Sequence, residues 1–153
     1  MDDVRILLKR EESYAVHALL NIAENPGTNA ARIAQELQMP PAFMAKVLRR
    51  LVGAGLIESR MGRAGGVALR AELSSLTLLS VVEAVSGRLV LDTCQLKPRC
   101  ATQERRGACG LKLAWFGATQ AIREVLAGVS LEGLVAPPAR AASQLQPDPT
   151  ASA

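Results

Sequence analysis

The sequence predicts a mainly α-helical chain with one small β-hairpin wing: a winged helix-turn-helix domain followed by a long C-terminal helix. Three observations carry that expectation. Aliphatic residues recur at helical spacing through most of the first 135 positions. One pair of short alternating segments flanks a glycine-rich turn, Met61-Gly62-Arg63-Ala64-Gly65-Gly66. Aromatic residues are only 3% of a chain that is 49% hydrophobic, so the core is aliphatic, which favours helices over a sandwich or barrel.

The elements follow in order. Arg10 to Glu24 reads as an amphipathic helix with Tyr14, Val16, Ala18, Leu19, Leu20, Ile22 and Ala23 on its apolar side, and Asn25-Pro26-Gly27 stops it. Thr28-Asn29 offers an N-cap for a short helix through Leu37. Pro40-Pro41 opens a third helix, because proline is tolerated where the backbone N–H has no helical partner. This helix runs to Val52, with Phe43, Val47, Leu48 and Leu51 toward the core, and Gly53-Ala54-Gly55 ends it. Leu56 to Arg60 and Val67 to Arg70 alternate like paired strands. Leu76 to Val85 is a further helix, capped by Ser74 or Ser75 and stopped by Ser86-Gly87. A cysteine-bearing loop then reaches Cys109, a longer amphipathic helix spans Leu111 to Leu126, and a last turn spans Ser130 to Leu134. From Ala136 the chain is rich in Ala, Pro, Ser and Gln, and reads as disordered. The organisation predicted is a DNA-binding winged domain over 1–87, a sensor loop over 88–110, the long and short terminal helices over 111–135, and a tail over 136–153.

At 153 residues the chain suits one domain, or a small domain with an extension. Its formal net charge is +4, and the distribution is more telling than the total. Lys46, Arg49, Arg50, Arg60, Arg63 and Arg70 lie in one stretch against the single acid Glu58. That is the electrostatic footprint of a polyanion partner. A helix can enter the major groove and offer a few side chains to base edges. Here the third helix offers Pro41, Ala42, Phe43 and Ala45 at its start, then Lys46, Arg49 and Arg50. Thr28 can present its hydroxyl and backbone to phosphate, and Arg60 and Arg63 sit among glycines at the wing tip, where a narrow minor groove accepts arginine. Arg50 has a second reading, as a brace for helix packing. The N-terminus lacks a signal-peptide pattern, and no apolar run approaches the ~20 residues of a membrane span. An odd cysteine count without an export signal points to a reducing cytoplasm.

The three cysteines are Cys94, Cys100 and Cys109, all in one basic stretch with Lys97, Arg99, Arg105 and Arg106. Nearby cations favour the thiolate, the form that binds metal or reacts. Metal binding and thiol redox chemistry are both open on this reading. An enzyme with a nucleophilic cysteine is disfavoured: the single histidine lies in another helix, and there is no phosphate-binding glycine loop or paired-acid motif. A winged helix serving only protein contacts is the remaining alternative.

Ser13-Tyr-Ala-Val-His-Ala-Leu-Leu, Ala34-Gln-Glu-Leu-Gln-Met-Pro, Leu48-Arg-Arg-Leu-Val-Gly-Ala-Gly-Leu-Ile and Gly62-Arg-Ala-Gly-Gly, joined to Cys-x5-Cys and a third downstream cysteine, resemble the Rrf-two family of bacterial winged-helix regulators. The similarity covers about residues 5 to 135. It implies a homodimer in which the helix after the cysteines, carrying Leu111, Leu113, Trp115, Phe116, Ile122, Val125 and Leu126, crosses its partner's. It implies a palindromic DNA operator and a regulator, most often a repressor, that senses redox state, nitric oxide or iron. It further implies an iron–sulfur cluster, 2Fe–2S or 4Fe–4S, on Cys94, Cys100 and Cys109, with a fourth ligand from the first helix of the partner. His17 and Glu12 are the candidates, with Glu11 and Ser13 beside Glu12 in the first helix, and His17 otherwise reads as a half-buried helix residue. A thiol redox switch using the same three cysteines, without a cluster, is the rival, and a structural zinc ranks third. Two departures from the family pattern stand out. Met61 occupies the position where a basic residue usually precedes the first wing glycine, and Ala45 stands where some relatives carry glutamate. The gap between Cys100 and Cys109 is also longer than usual.

Overall fold

The chain forms seven α-helices and one two-stranded hairpin among the residues that the computed structural model describes, 6–60, 62 and 65–135. In order these are α1 (Arg10–Glu24), α2 (Ala30–Glu36), α3 (Pro41–Gly53), β1 (Ile57–Arg60), β2 (Gly66–Leu69), α4 (Leu78–Ser86), α5 (Ala101–Arg106), α6 (Gly110–Ala127) and α7 (Glu132–Val135), with single 3-10 turns at Leu73–Ser75 and Thr93–Gln95. The expected fold class is what the chain adopts. The predicted tail and the wing residues Met61 and Arg63 lie outside the described residues.

Helix α1 is the hub. It packs against α2, α3, α4, α7 and β2. Its buried positions Ala15, Ala18, Leu19 and Ile22 follow the three- and four-residue steps of one helical face. Met44, Val47, Leu48 and Leu51 do the same on α3. Asn29 caps α2, its Oδ1 accepting the Arg32 N–H at 3.0 Å. Gln38 then takes a positive φ of 52°, and the Met39 N–H returns to the Ala34 carbonyl at 2.8 Å. That turn sets α3 across α2.

The hairpin pairs Ile57 with Leu69 and Arg60 with Gly66, antiparallel. It is held to the helices as well as to itself. The Val67 N–H donates to the Thr28 carbonyl at 2.9 Å. A Cβ on Gly66 would stand 2.6 Å from that same carbonyl and 2.9 Å from the Gly27 carbonyl. Only glycine allows the wing to seat this closely on the turn between α1 and α2.

Two sequence expectations need correction. The cap of α4 is Thr77, not Ser74 or Ser75. Thr77 Oγ1 accepts the Ser80 N–H at 3.2 Å and Ser80 Oγ accepts the Thr77 N–H at 2.9 Å, a reciprocal pair that neither earlier serine makes. The cysteine segment is also not all loop. It contains α5, which starts after Cys100 and ends at Gly107 in the left-handed conformation, φ 75°.

Helix α6 is tied to the body through one side. Arg123 pairs with Glu83 of α4, and the buried Thr119 accepts the Leu91 N–H at 3.1 Å. After α6 the chain comes back. Leu131 is fully buried, its N–H donating to the Leu76 carbonyl at 2.9 Å. The other side of α6 stays open: Leu111, Leu113, Trp115, Phe116 and Val125 are all exposed. Among the described residues no helix is long and apolar enough to cross a membrane.

Candidate DNA interface and cysteine pocket

The side chains predicted to meet DNA are placed very differently from one another. Pro41 and Ala42 are exposed at the start of α3. Lys46 and Arg49 are exposed further along it, and Arg49 Nε donates to the Ala45 carbonyl at 3.3 Å. Phe43 is half-buried instead. Its ring meets Tyr14 edge-on at 5.9 Å, under the Arg10 guanidinium at 5.5 Å. Thr28 is buried, only 3% exposed, and its Oγ1 has no hydrogen-bond partner among the described residues. The Thr28 carbonyl is engaged by the wing, so neither its hydroxyl nor its carbonyl lies open to solvent. Arg60 is exposed and pairs with Glu58 at 3.0 Å.

Arg50 takes its second reading. Its Nη1 donates to the Val85 carbonyl at 3.0 Å at the end of α4 and lies 3.3 Å from Glu11. Glu11 also meets Lys46 Nζ at 2.6 Å. One carboxylate of α1 therefore holds two cations of α3. The bond from Lys46 is the largest cause holding the Glu11 carboxyl below the usual carboxylate range; burial opposes it, and the nearby charges of Arg50, Lys46 and Lys9 add to the lowering. Sequence reasoning missed Glu11 as the partner of these cations. The cationic stretch has one acid along the chain but gains a second in space, and no spacing within α3 announces it.

The three cysteines, all half-buried and free, line one pocket of about 280 Å³. Arg106 and Lys112 line it too, and Lys112 Nζ donates to the Lys97 carbonyl at 3.2 Å, tying the loop to α6. The local fold explains the convergence. Cys100 immediately precedes α5 and Cys109 immediately precedes α6. Cys94 lies in the 3-10 turn whose first N–H groups fold onto Asp92, with the Cys94 N–H 2.7 Å from Asp92 Oδ1.

The thiols are not equivalent. Backbone N–H groups of Gln103 and Thr102 face the Cys100 sulfur and lower its pKa, helped by the Thr102 hydroxyl and the Lys112 charge. Cys94 is pushed up, first by its hydrogen bond to Asp92, then by burial and by the charges of Asp92, Cys109 and Cys100. Among the described residues no three His, Cys, Asp or Glu side chains form a ready-made cage for a metal ion. The three thiols line one pocket with Arg106 and Lys112, and thiolate is the donor type that iron with sulfide takes. The fourth-ligand candidates do not line this pocket within the same chain. His17 is exposed, not half-buried, with its ring 5.8 Å from Tyr14. The buried positions 15, 18, 19 and 22 leave 17 pointing outward. Glu12 is buried elsewhere, its Oε2 accepting the Lys9 N–H at 2.7 Å.

Comparison with known proteins gives a consistent answer. Residues 8–137 match the model of the Rrf2 family, described as iron-dependent transcriptional regulators. Protein aau3 of Rhizobium meliloti (strain 1021) is 33% identical over 133 residues, covering 84% of each chain. Among solved structures, the global cysteine regulator CymR of B. subtilis superposes with a TM-score of 0.66 at 22% identity, covering 86% of this chain and 97% of that one. IscR of T. potens does so with a TM-score of 0.67 at 20% identity, covering 87% of each. At those identities the structural likeness speaks to the fold.

Proposed function

This chain belongs to the Rrf2 family of transcriptional regulators, and from that premise we propose that it is a homodimeric repressor whose operator affinity is set by an iron–sulfur cluster on Cys94, Cys100 and Cys109. The family is one of helix-turn-helix regulators and not of enzymes. The observation that carries the finer reading is the pocket itself: three cysteines separated by five and eight residues converge on one cation-lined cavity at the start of α6.

The reading elements on this account are the exposed face of α3, with Ala42, Lys46 and Arg49, and the wing with Arg60 and Arg63. Arg50 positions α3 on α4, and Phe43 fixes its start against Tyr14. The operator is a palindromic duplex because two copies joined along α6 present two such faces. The exposed apolar side of α6 supports that seam. A bound cluster would supply a redox- and iron-responsive centre, with the fourth ligand contributed across the dimer. This chain's own residues then transmit its state. Lys112 joins the loop to α6, Thr119 joins α6 to the segment after α4, and Glu83 with Arg123 joins α6 to α4. Arg50 carries the path onward to α3. A shift in the cysteine segment thereby changes the spacing of two recognition helices. On this division 1–87 reads DNA, 88–110 senses, and 111–135 dimerises, in the cytoplasm.

A second reading rests on the inequality of the thiols. The Cys100 thiolate, favoured by its backbone donors, attacks peroxide and becomes a sulfenic acid as the O–O bond breaks and hydroxide leaves; a neighbouring cysteine thiol then displaces water to form a disulfide, which makes a cluster-free switch. Anaerobic purification followed by an absorption spectrum and iron and sulfide analysis separates the two. Iron and sulfide in stoichiometric amount, lost in the Cys100→Ser variant, are expected. Iron-free protein whose DNA affinity still responds to peroxide would establish the thiol switch instead.

A further inference from the structure

A second pocket, of about 170 Å³, lies where the start of α1, the end of α4 and the segment following Gly87 meet. It shares no residue with the cysteine pocket or the DNA-reading face. Its lining combines both charges with apolar walls. Glu12 supplies a carboxylate on a residue only 6% exposed, engaged on one oxygen by the Lys9 N–H and on neither by an ion pair among the described residues. Ser86 also lines it, and the Ser86 Oγ is buried with no hydrogen-bond partner among the described residues. Arg88 and Lys9, both exposed, stand at its rim, and Leu8 and Val82 line it with apolar surface.

Among the described residues Glu12 thus has a buried carboxylate in no ion pair and Ser86 a buried hydroxyl with no partner, and both are costly to leave so. They are satisfied together by an ammonium group. Arg88 and Lys9, in turn, suit a carboxylate. The volume falls below the ~300 Å³ at which drug-sized ligands begin, so the guest is a small metabolite. We propose that this pocket binds a free α-amino acid, its ammonium on Glu12 and Ser86, its carboxylate at Arg88 and Lys9, and its side chain against the aliphatic walls.

The site has a means of being felt. Glu12 is chain neighbour to Glu11, which holds Lys46 and Arg50 of α3. On the other side, the Leu89 N–H donates to Glu83 at 2.9 Å and the Leu91 N–H donates to Thr119, so the pocket wall is continuous with the α4–α6 connection. An amino acid bound here draws the first turn of α1 and the segment after α4 together. It acts as a co-effector independent of the cysteines.

The test is a thermal-shift screen of the full chain against the twenty standard amino acids at millimolar concentration. Calorimetry on the best of them follows, with its N-acetyl and methyl-ester forms as controls. At least one amino acid is expected to raise the melting temperature, as ligand binding to the native state must. Blocking either charged group is expected to weaken binding by about tenfold or more, the scale on which sites built for a polar group reject its absence. Glu12→Gln keeps an oxygen for the Lys9 N–H and so preserves the helix start while removing the charge. It and Arg88→Ala are each expected to lose binding. Both variants are checked for folding by circular dichroism, and Ser86→Ala replaces either one that fails that check. No stabilisation by any of the twenty, or binding that the blocked forms or the variants leave unchanged, overturns the assignment. A Cys94→Ser/Cys100→Ser/Cys109→Ser variant is expected to bind the amino acid as before, so failure of the cluster reading leaves this result intact.

Discussion

Glu11 pairs with both Lys46 and Arg50, so under the proposed function it sets how much of the positive charge on α3 is available to DNA. On the proposed reading Lys46 is a phosphate or base contact of that helix, yet in the free chain it is paired at 2.6 Å with a carboxylate from another element. Phosphate must displace Glu11 to engage Lys46. Glu11→Gln is therefore expected to tighten DNA binding by roughly threefold, the scale on which exposed pairs act. Lys46→Ala is expected to weaken it and to lower the salt slope by about 0.9, the release of one counterion. Fluorescence anisotropy at several salt concentrations reads both, and an unchanged slope in Lys46→Ala removes it from the contact set. Residue by residue, the sequence was most informative where chemistry is rare. Three cysteines in a basic stretch have few meanings, and they do share a pocket. It was least informative for Glu11, Glu12 and Thr28, whose roles depend on which neighbour a helix face meets. A polar residue in a helical pattern shows no difference in sequence between solvent and a buried cap.

Among the elements, the wing depends most sharply on a single atom. The Gly66→Ala methyl would stand 2.6 Å from the Thr28 carbonyl, closer than side chains tolerate against backbone. The hairpin must lift from the α1–α2 turn or distort, at a cost of about 1–3 kcal/mol by the measure of overpacked sites. A lowered melting temperature together with weakened DNA binding is expected, read by calorimetry and anisotropy. A stable variant with full affinity would show that the seating is dispensable. Most elements were legible because period and punctuation agreed: α1, α3 and α6 each have an amphipathic run with glycine or an Asn-Pro-Gly stop. The miss was α5. Six residues are too short for periodicity to speak, and the cysteine motif drew attention away from Ala101-Thr-Gln-Glu-Arg-Arg-Gly, whose basic end and terminal glycine are helix-stop signals. The cap of α4 was missed by two residues for a related reason. Ser74, Ser75 and Thr77 are all good caps, and only the backbone path chooses among them.

At the scale of the whole molecule, the carboxylates bind the parts together and set the response to acid. Glu11, Glu36, Glu83 and Asp92 all have pKa values lowered by the fold. For Glu83 burial pushes upward but is outweighed by the Leu89 N–H and by Arg123. A lowered carboxyl pKa stabilises the folded state above the unfolded value, near pH 4, and that contribution is lost as pH falls through the folded value. Stability is thus expected to be flat from pH 7 to about 5 and to fall steeply below about 4, with Glu83→Gln blunting the fall. Denaturant melts across that range check it, and an acid-insensitive protein would contradict the bridging role. The exposed apolar side of α6 belongs to this scale also. None of the described residues covers it, and the proposed dimer would, each copy placing a winged domain and a cysteine pocket about a shared axis.

The central claim is that the state of the cysteine pocket sets the affinity of the winged face for DNA. Its most direct measurement is an anaerobic titration of a duplex that the protein itself selects from a random-sequence pool, before and after removal of bound iron, in wild type and in the three-serine variant. The account predicts a change of at least about tenfold between the two states of the wild type, a coupling of ~1.4 kcal/mol, and none in the variant. Equal affinity in both states, or a wild-type change that survives loss of all three thiols, would contradict it.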